Sequence, residues 1–139
     1  MSSFGQRSLI KLDTCHEEIQ LVCKCVIQHY DFTVIWGARG EDAQNEAYLN
    51  GYSSVPWPES KHNAVFPGKS DAVDIAPWFQ DKPHVRWNHE REFVHLAGYM
   101  MQAAAELGIS MRWGGDWDQD QDLYDKNIPF DLGHFERMS

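Results

Sequence analysis

Asp74 is the residue that most limits how this chain can fold. It stands in Ala72-Val73-Asp74-Ile75-Ala76, a short run whose other members are apolar, closed by Pro77. Such a run reads as a strand packed against a core. A carboxylate inside it is costly to bury without a partner. The fold must therefore bring a partner for Asp74 from another part of the chain.

The elements around that strand follow from periodicity and punctuation. Thr14-Cys15-His16-Glu17 fits a capping box opening a helix from Thr14 to His29. Cys15, Ile19, Val22, Cys23, Val26 and Tyr30 recur at helical spacing and are expected to face the core. Phe32-Thr33-Val34-Ile35-Trp36 reads as a strand ending at Gly37. Glu41 to Asn50 reads as a short helix closed by Gly51, and Tyr52 to Ser70, rich in Pro, Gly, Ser and Asn, as loop. Asn88 is the expected cap of a long helix, His89 to Leu107, with Phe93, Leu96, Ala97, Met100, Ala104 and Leu107 inward and Gly108 as its stop. Ile109 to Trp113 and Gly133 to Arg137 read as strands flanking an acidic loop, Gly114 to Asp131. Short strands mixed with helices predict an α+β fold, a small mostly antiparallel sheet packed against helices.

Composition narrows the function classes. The chain has 139 residues, 42% of them hydrophobic, which suits one domain with a real core. Its net charge of −9 gives no counterion-release affinity for nucleic acid and disfavours anionic membranes. No apolar run reaches the roughly 20 residues that span a bilayer, and the first residues lead into no signal-type apolar region, so a cytosolic site of synthesis is expected. Cys15, Cys23 and Cys25 do not form the framework of a small secreted fold; free thiols are expected, with Cys15 and Cys23 buried.

Among seven histidines, His16 and His89 each precede a Glu but lack the second His of the zinc helix motif, so they read as polar helix faces. His62, on a loop, and His134, at the start of the last strand, stand out as companions for Asp74. Two imidazoles and a carboxylate form a three-ligand set that leaves the fourth tetrahedral position open, as in catalytic zinc sites. Spacing alone leaves open two surface histidines and a salt-bridged Asp.

Four blocks then bear on function together: Ser60-Lys61-His62, Asp71 to Trp78, Arg112-Trp113-Gly114-Gly115-Asp116-Trp117, and Asp131-Leu132-Gly133-His134-Phe135-Glu136. In this order they resemble the zinc peptidases of the D-alanyl-D-alanine carboxypeptidase family, and more closely its phage endolysins that cut the L-alanyl-D-glutamate bond of peptidoglycan. The strand ending in Gly37-Ala38-Arg39, with Gln44-Asn45 after it, is similar too; the likeness runs from Phe32 to Glu136, roughly three quarters of the chain. It implies a Hedgehog/DD-peptidase-like fold and one zinc peptidase domain over residues 1–139. It also implies Zn²⁺ held by His62, Asp74 and His134, Asp131 as general base, and Arg39 at the scissile carbonyl. The residues by themselves also allow Arg39 in a surface ion pair with Glu41 or Asp42, and Asp131 as a turn residue. Asn63 to Val73 make a longer connection between the first two ligands than the family usually has, and Gly133 stands where relatives carry Pro or Gly.

The implied partner is the peptidoglycan stem peptide, met by a monomer that accumulates in the host cytoplasm and reaches the wall after the membrane is permeabilised. A D-Ala-D-Ala dipeptidase or carboxypeptidase of the same fold is one alternative, and a non-catalytic zinc-containing wall-binding module another. Separately, Asp116, Asp118, Asp120 and Asp122, with Asp125 beyond, alternate like the early positions of a calcium loop, without the Gly and Glu of an EF-hand. Ca²⁺ ordering this loop is weighed against a solvated charge run. Trp36 and Trp113 are expected in the core. Trp57, Trp78 and Trp117, in or beside loops, are weighed as groove lining against core packing.

Overall fold

The computed structural model describes residues 2–64, 68–123 and 130–138. Alternation along the third-from-last strand sets the plan. That strand, β2 (Ala72–Pro77), lies between β1 (Phe32–Trp36) and β4 (His134–Arg137), and β3 (Met111–Trp113) pairs with the far side of β4; every pairing is antiparallel, in the order β1-β2-β4-β3. Side chains two apart share a face. Val34, Val73, Ile75, Met111, Trp113 and Phe135 point into one hydrophobic core. Asp74, Arg112, His134 and Glu136 occupy the alternate positions, so the polar residues of three strands gather on the opposite face.

Helices close the apolar face. α2 (Glu17–Val26) contributes Ile19, Val22, Cys23 and Val26, and α4 (Glu90–Leu107) contributes Phe93, Leu96, Ala97, Met100, Ala103 and Ala104. Gly108 ends α4 with φ 70°, a left-handed cap that glycine adopts without a Cβ clash. α3 (Glu41–Leu49) is tied to the loop after it by Gln44, which donates to the Ser53 hydroxyl and the Val55 carbonyl. Cys15 and Cys23 are buried and Cys25 half-buried, all as free thiols, and burial pushes the Cys15 thiol up to about 12. Among the described residues no helix is long and apolar enough to cross a membrane.

Several local expectations are corrected. A helix absent from the sequence reading, α1 (Gln6–Asp13), precedes α2. Its apolar residues do not form one stripe: Leu12 is buried while Leu9 and Ile10 are exposed. It is held by tertiary contact, with the Ser8 hydroxyl accepting from the Val34 N–H at 3.0 Å and lying 2.9 Å from the Thr33 hydroxyl. Thr14 forms no capping box. Its hydroxyl donates to the Lys11 carbonyl at the end of α1 and accepts from the Ala38 N–H, while His16 caps α2 by accepting the Glu18 N–H on Nδ1 at 3.1 Å. α4 starts after His89, not Asn88, without a side-chain cap. Leu107, placed inward by periodicity, is 46% exposed, while Ala103, not assigned to the inner row, is buried. Trp36 is 41% exposed rather than in the core. The register shifts between Val34 and Trp36, and such a bulge turns the next side chain off the core face.

Candidate metal centre

Three segments deliver the candidate ligands. Asp74 and His134 are direct partners in the β2–β4 register, so a two-residue slip in either strand would separate them. His62 comes from the loop before β2. Its N–H donates to the Ser60 hydroxyl, its carbonyl accepts from the Arg39 N–H, and the Asp71 N–H donates to the Lys61 carbonyl. Its ring Nδ1 lies 2.9 Å from the Gly37 carbonyl. Gly37 has to be glycine here, since a Cβ would collide with the Lys11 carbonyl and the Thr14 hydroxyl. The end of β1, the end of α1 and the His62 loop thus converge on one backbone carbonyl.

One nitrogen or oxygen from each of His62, Asp74 and His134 lies within 4.8 Å of the other two. Asp74 Oδ1 is 3.2 Å from His62 Nε2 and 3.0 Å from His134 Nδ1, and Oδ2 is 3.6 Å from the Arg39 guanidinium. The donor set fits a metal. A carbonyl only accepts, so His62 Nδ1 carries the proton bonded to Gly37 and neutral Nε2 presents a lone pair. That Nε2 is buried and makes no hydrogen bond. A lone pair facing a carboxylate oxygen needs a cation between them. Two imidazole nitrogens and one carboxylate suit a borderline divalent ion such as zinc.

Electrostatics agree with this. Burial works against the Asp74 carboxylate, yet the His134 and His62 rings beside it hold it far below the usual carboxylate range. Burial also disfavours a charged His134, but its bonds to Asp74 and Glu136 prevail and raise the imidazole to about 9. A bound metal would displace the proton that His134 otherwise holds on Nδ1.

Asp131 and Arg39 flank the group. The His134 N–H donates to the Asp131 carbonyl at 3.1 Å, closing a turn, and the Asp131 N–H donates to the Gly114 carbonyl at 2.8 Å. A Cβ on Gly114 would strike the Asp131 carbonyl, so glycine permits this approach. Desolvation in the cleft, then the nearby Asp74 carboxylate, push the Asp131 carboxyl above its ordinary range. Arg39 is buried rather than in a surface pair with Glu41 or Asp42. It donates to Gln44 Oε1 at 3.1 Å, pairs with Asp74, and lies 5.0 Å from the centre of the Trp36 ring. Gln44 is in turn fixed by the Ser53 hydroxyl and the Val55 carbonyl.

These residues line a cleft of about 810 Å³, with Tyr52, Lys61 and Trp117 on its walls. Trp117 lies 5.3 Å from the His134 ring. Trp78 instead stacks on His84 at 4.3 Å, and Trp113 is in the core. In the acidic loop, carboxylates of Asp116, Asp118 and Asp120 come within 4.8 Å of one another, on exposed or half-exposed residues; Asp122 is not in that group. Asp118 and Asp120 accept from the Asp120 and Asp122 N–H groups, and Asp116 from that of Gln121. Asp125 and residues 65–67 of the long connection lie outside the described residues.

Sequence reasoning missed Glu136, Arg112 and Gly37. The first was marked by the alternation His134-Phe135-Glu136, which places both polar residues on one face of a strand.

Residues 1–138 match the family model described as phage L-alanyl-D-glutamate peptidase. The chain belongs to this family. It is 36% identical over 140 residues to the L-alanyl-D-glutamate peptidase of Escherichia phage T5, covering 96% of each. Its fold matches the crystal structure of the Serratia marcescens L-Ala D-Glu endopeptidase ChiX, with a TM-score of 0.74 and 24% identity over 99% of this chain and 91% of that one. The α+β architecture expected from the sequence is the architecture found.

Proposed function

We propose that this member of the L-alanyl-D-glutamate peptidase family is a zinc endopeptidase of peptidoglycan, hydrolysing the L-Ala–D-Glu bond of the stem peptide during phage lysis. The observation that carries the reading is the meeting of His62, Asp74 and His134 within 4.8 Å in an open cleft. Their chemistry suits zinc, and the whole 1–139 chain is read as one zinc peptidase domain. When bound, zinc supplies a Lewis acid that polarises a carbonyl and lowers the pKa of water toward about 7.

The chain's own groups supply the rest. Asp131 takes the proton of the attacking water at its carboxylate and returns it to the leaving amine. Arg39 offers N–H donors to the oxygen that gains charge as the carbonyl becomes tetrahedral. Gln44 and Trp36 fix the guanidinium plane, so little reorganisation is needed when that charge develops. Trp117 and Tyr52 offer apolar walls to the peptide. The enzyme is expected to act as a monomer, to accumulate in the host cytoplasm and to reach the wall after the membrane is breached.

Digestion of purified sacculi followed by mass spectrometry tests this reading. New N-terminal D-Glu is the expected product. Released D-Ala would indicate the exo-acting alternative, and no cleavage by zinc-loaded protein would indicate a wall-binding module.

A second, smaller reading concerns the acidic loop, where carboxylates of Asp116, Asp118 and Asp120 lie within 4.8 Å of one another and Trp117 lies against His134. Ca²⁺ at Asp116, Asp118 and Asp120 would order the loop and so set the position of Trp117 in the cleft. Absence of calcium heat in titration calorimetry, with activity indifferent to calcium chelation, would end that reading.

A further inference from the structure

We propose that Glu136 is a positioning residue for the metal centre: it holds the Nε2 proton of His134 and so turns the Nδ1 lone pair toward Asp74 and His62, while Arg112 holds Glu136 in place. This inference rests on the reading of His62, Asp74 and His134 as ligands.

Strand geometry brings the three groups together. His134 and Glu136 are two apart on β4 and share its polar face, while Phe135 between them is in the core. Glu136 Oε1 lies 3.0 Å from His134 Nε2. Arg112 is the register partner of Glu136 across β3 and β4, and its guanidinium donates to Oε2 at 2.7 Å. The carboxylate is thus used at both oxygens, one on the imidazole and one on the guanidinium. Glu136 is only 5% exposed, a placement that a carboxylate tolerates when both oxygens are engaged.

The consequence is a choice of tautomer. A neutral imidazole carries one proton. Placed on Nδ1, it would leave the Nε2 lone pair against the Glu136 carboxylate, two acceptors in contact. Placed on Nε2, it makes a charge-assisted hydrogen bond and frees Nδ1, which lies 3.0 Å from Asp74 Oδ1. His62 is arranged as its mirror: the Gly37 carbonyl takes the Nδ1 proton and Nε2 faces Asp74. Each imidazole therefore has an acceptor behind it and a lone pair in front, and both lone pairs converge on one carboxylate. Acceptors behind ligating histidines orient the ring and raise its basicity.

A simple staple between β3 and β4 would account for the ion pair with Arg112 but not for the bond to His134. The two roles separate in experiment. Zinc affinity of the full-length protein is measured by competition with a chromophoric chelator near neutral pH, for wild type, E136Q and E136A. The His134 tautomer in the zinc-loaded wild type is read from long-range ¹H–¹⁵N correlations, and thermal melts are recorded with chelator present. Zinc affinity is expected to fall about 10- to 100-fold in E136A and by a smaller factor in E136Q, whose amide still offers an oxygen. The wild-type His134 is expected to carry its proton on Nε2. Should E136A fail to fold, E136Q decides, because it preserves shape. Affinities within twofold of wild type, whether or not the chelated protein melts lower, would make Glu136 a staple and overturn the proposal. A proton on Nδ1 would also overturn it. Wild-type protein that binds no zinc would sink this proposal and the zinc reading together, whereas sacculus cleavage by a zinc-binding wild type with unaffected variants would sink this one alone.

Discussion

Two groups of ligand-type side chains, one in the cleft and one in the acidic loop, are built in opposite ways. His62, Asp74 and His134 come from three distant segments, and their rear atoms are engaged: His62 by the Gly37 carbonyl, Asp74 by Arg39, His134 by Glu136. Asp116, Asp118 and Asp120 come from one contiguous loop, and their carboxylates accept N–H groups of that same loop. In both groups the ligand atoms lie within 4.8 Å of one another. Proximity of ligand atoms is therefore a poor guide to strength. In the first group the fold itself brings the acceptor atoms together, and a bound cation would relieve the cost. In the second, an ion must compete with backbone donors and water.

The largest effect should come from breaking the first group. His62→Ala or His134→Ala is expected to lose stoichiometric zinc, read by elemental analysis, and all detectable sacculus cleavage; a zinc-loaded variant would show that the triad is not the centre. Asp131→Asn separates holding the ion from using it. It should keep zinc and the fold but lower kcat by about 10²- to 10⁴-fold, the usual range for a positioned acid–base group. Near-normal turnover would remove Asp131 from the mechanism. Arg39→Ala should cost about 10²- to 10³-fold in kcat, as for the loss of an oxyanion donor, with zinc retained. A change confined to KM would instead make Arg39 a substrate-binding residue.

A fourth variant tests whether the acceptor behind His62 matters. Gly37→Ala forces a Cβ into the Lys11 carbonyl and the Thr14 hydroxyl, so the Gly37 carbonyl must move. Thermal melts should show a loss of about 1–3 kcal/mol, the usual cost of overpacking. Chelator competition should show weaker zinc as well; unchanged affinity would mean that the Gly37 carbonyl is not what aims the ring.

The same contrast explains what could be read from the sequence. β2 was legible because Ala72-Val73-Asp74-Ile75-Ala76 is short, apolar and stopped by Pro77, and Asp74 was legible because it violates that pattern. α4 was legible through its inner row and Gly108. The convergence of His62 on the same point was not, since a loop has no period to follow; only family resemblance tied it to the others. α1 escaped because its stability lies in Ser8 meeting β1, a tertiary contact with no local signature. The exposed Trp36 escaped because a bulge reverses alternation without leaving a mark in residue type. Glu136 could have been found from alternation alone, but its importance depends on Arg112 across the sheet, and strand partners are not evident from single-chain patterns.

The smallest expected effect lies in the acidic loop, and it sharpens the comparison most. Surface carboxylates contribute little to global stability, so Asp118→Asn with Asp120→Asn should change the melt of calcium-free protein by no more than about 0.5 kcal/mol. If Ca²⁺ binds there, free ion at tenfold its Kd stabilises the wild type by about 1.4 kcal/mol, a rise of a few degrees that the double variant should lose. Zinc content should be the same in both proteins, because none of the proposed zinc ligands or their rear partners has changed. A calcium shift that persists in the double variant would move the calcium site elsewhere. A loss of zinc there would mean that the two groups are coupled, with Trp117, which follows Asp116 in the loop and lies against the His134 ring, as the first link to test.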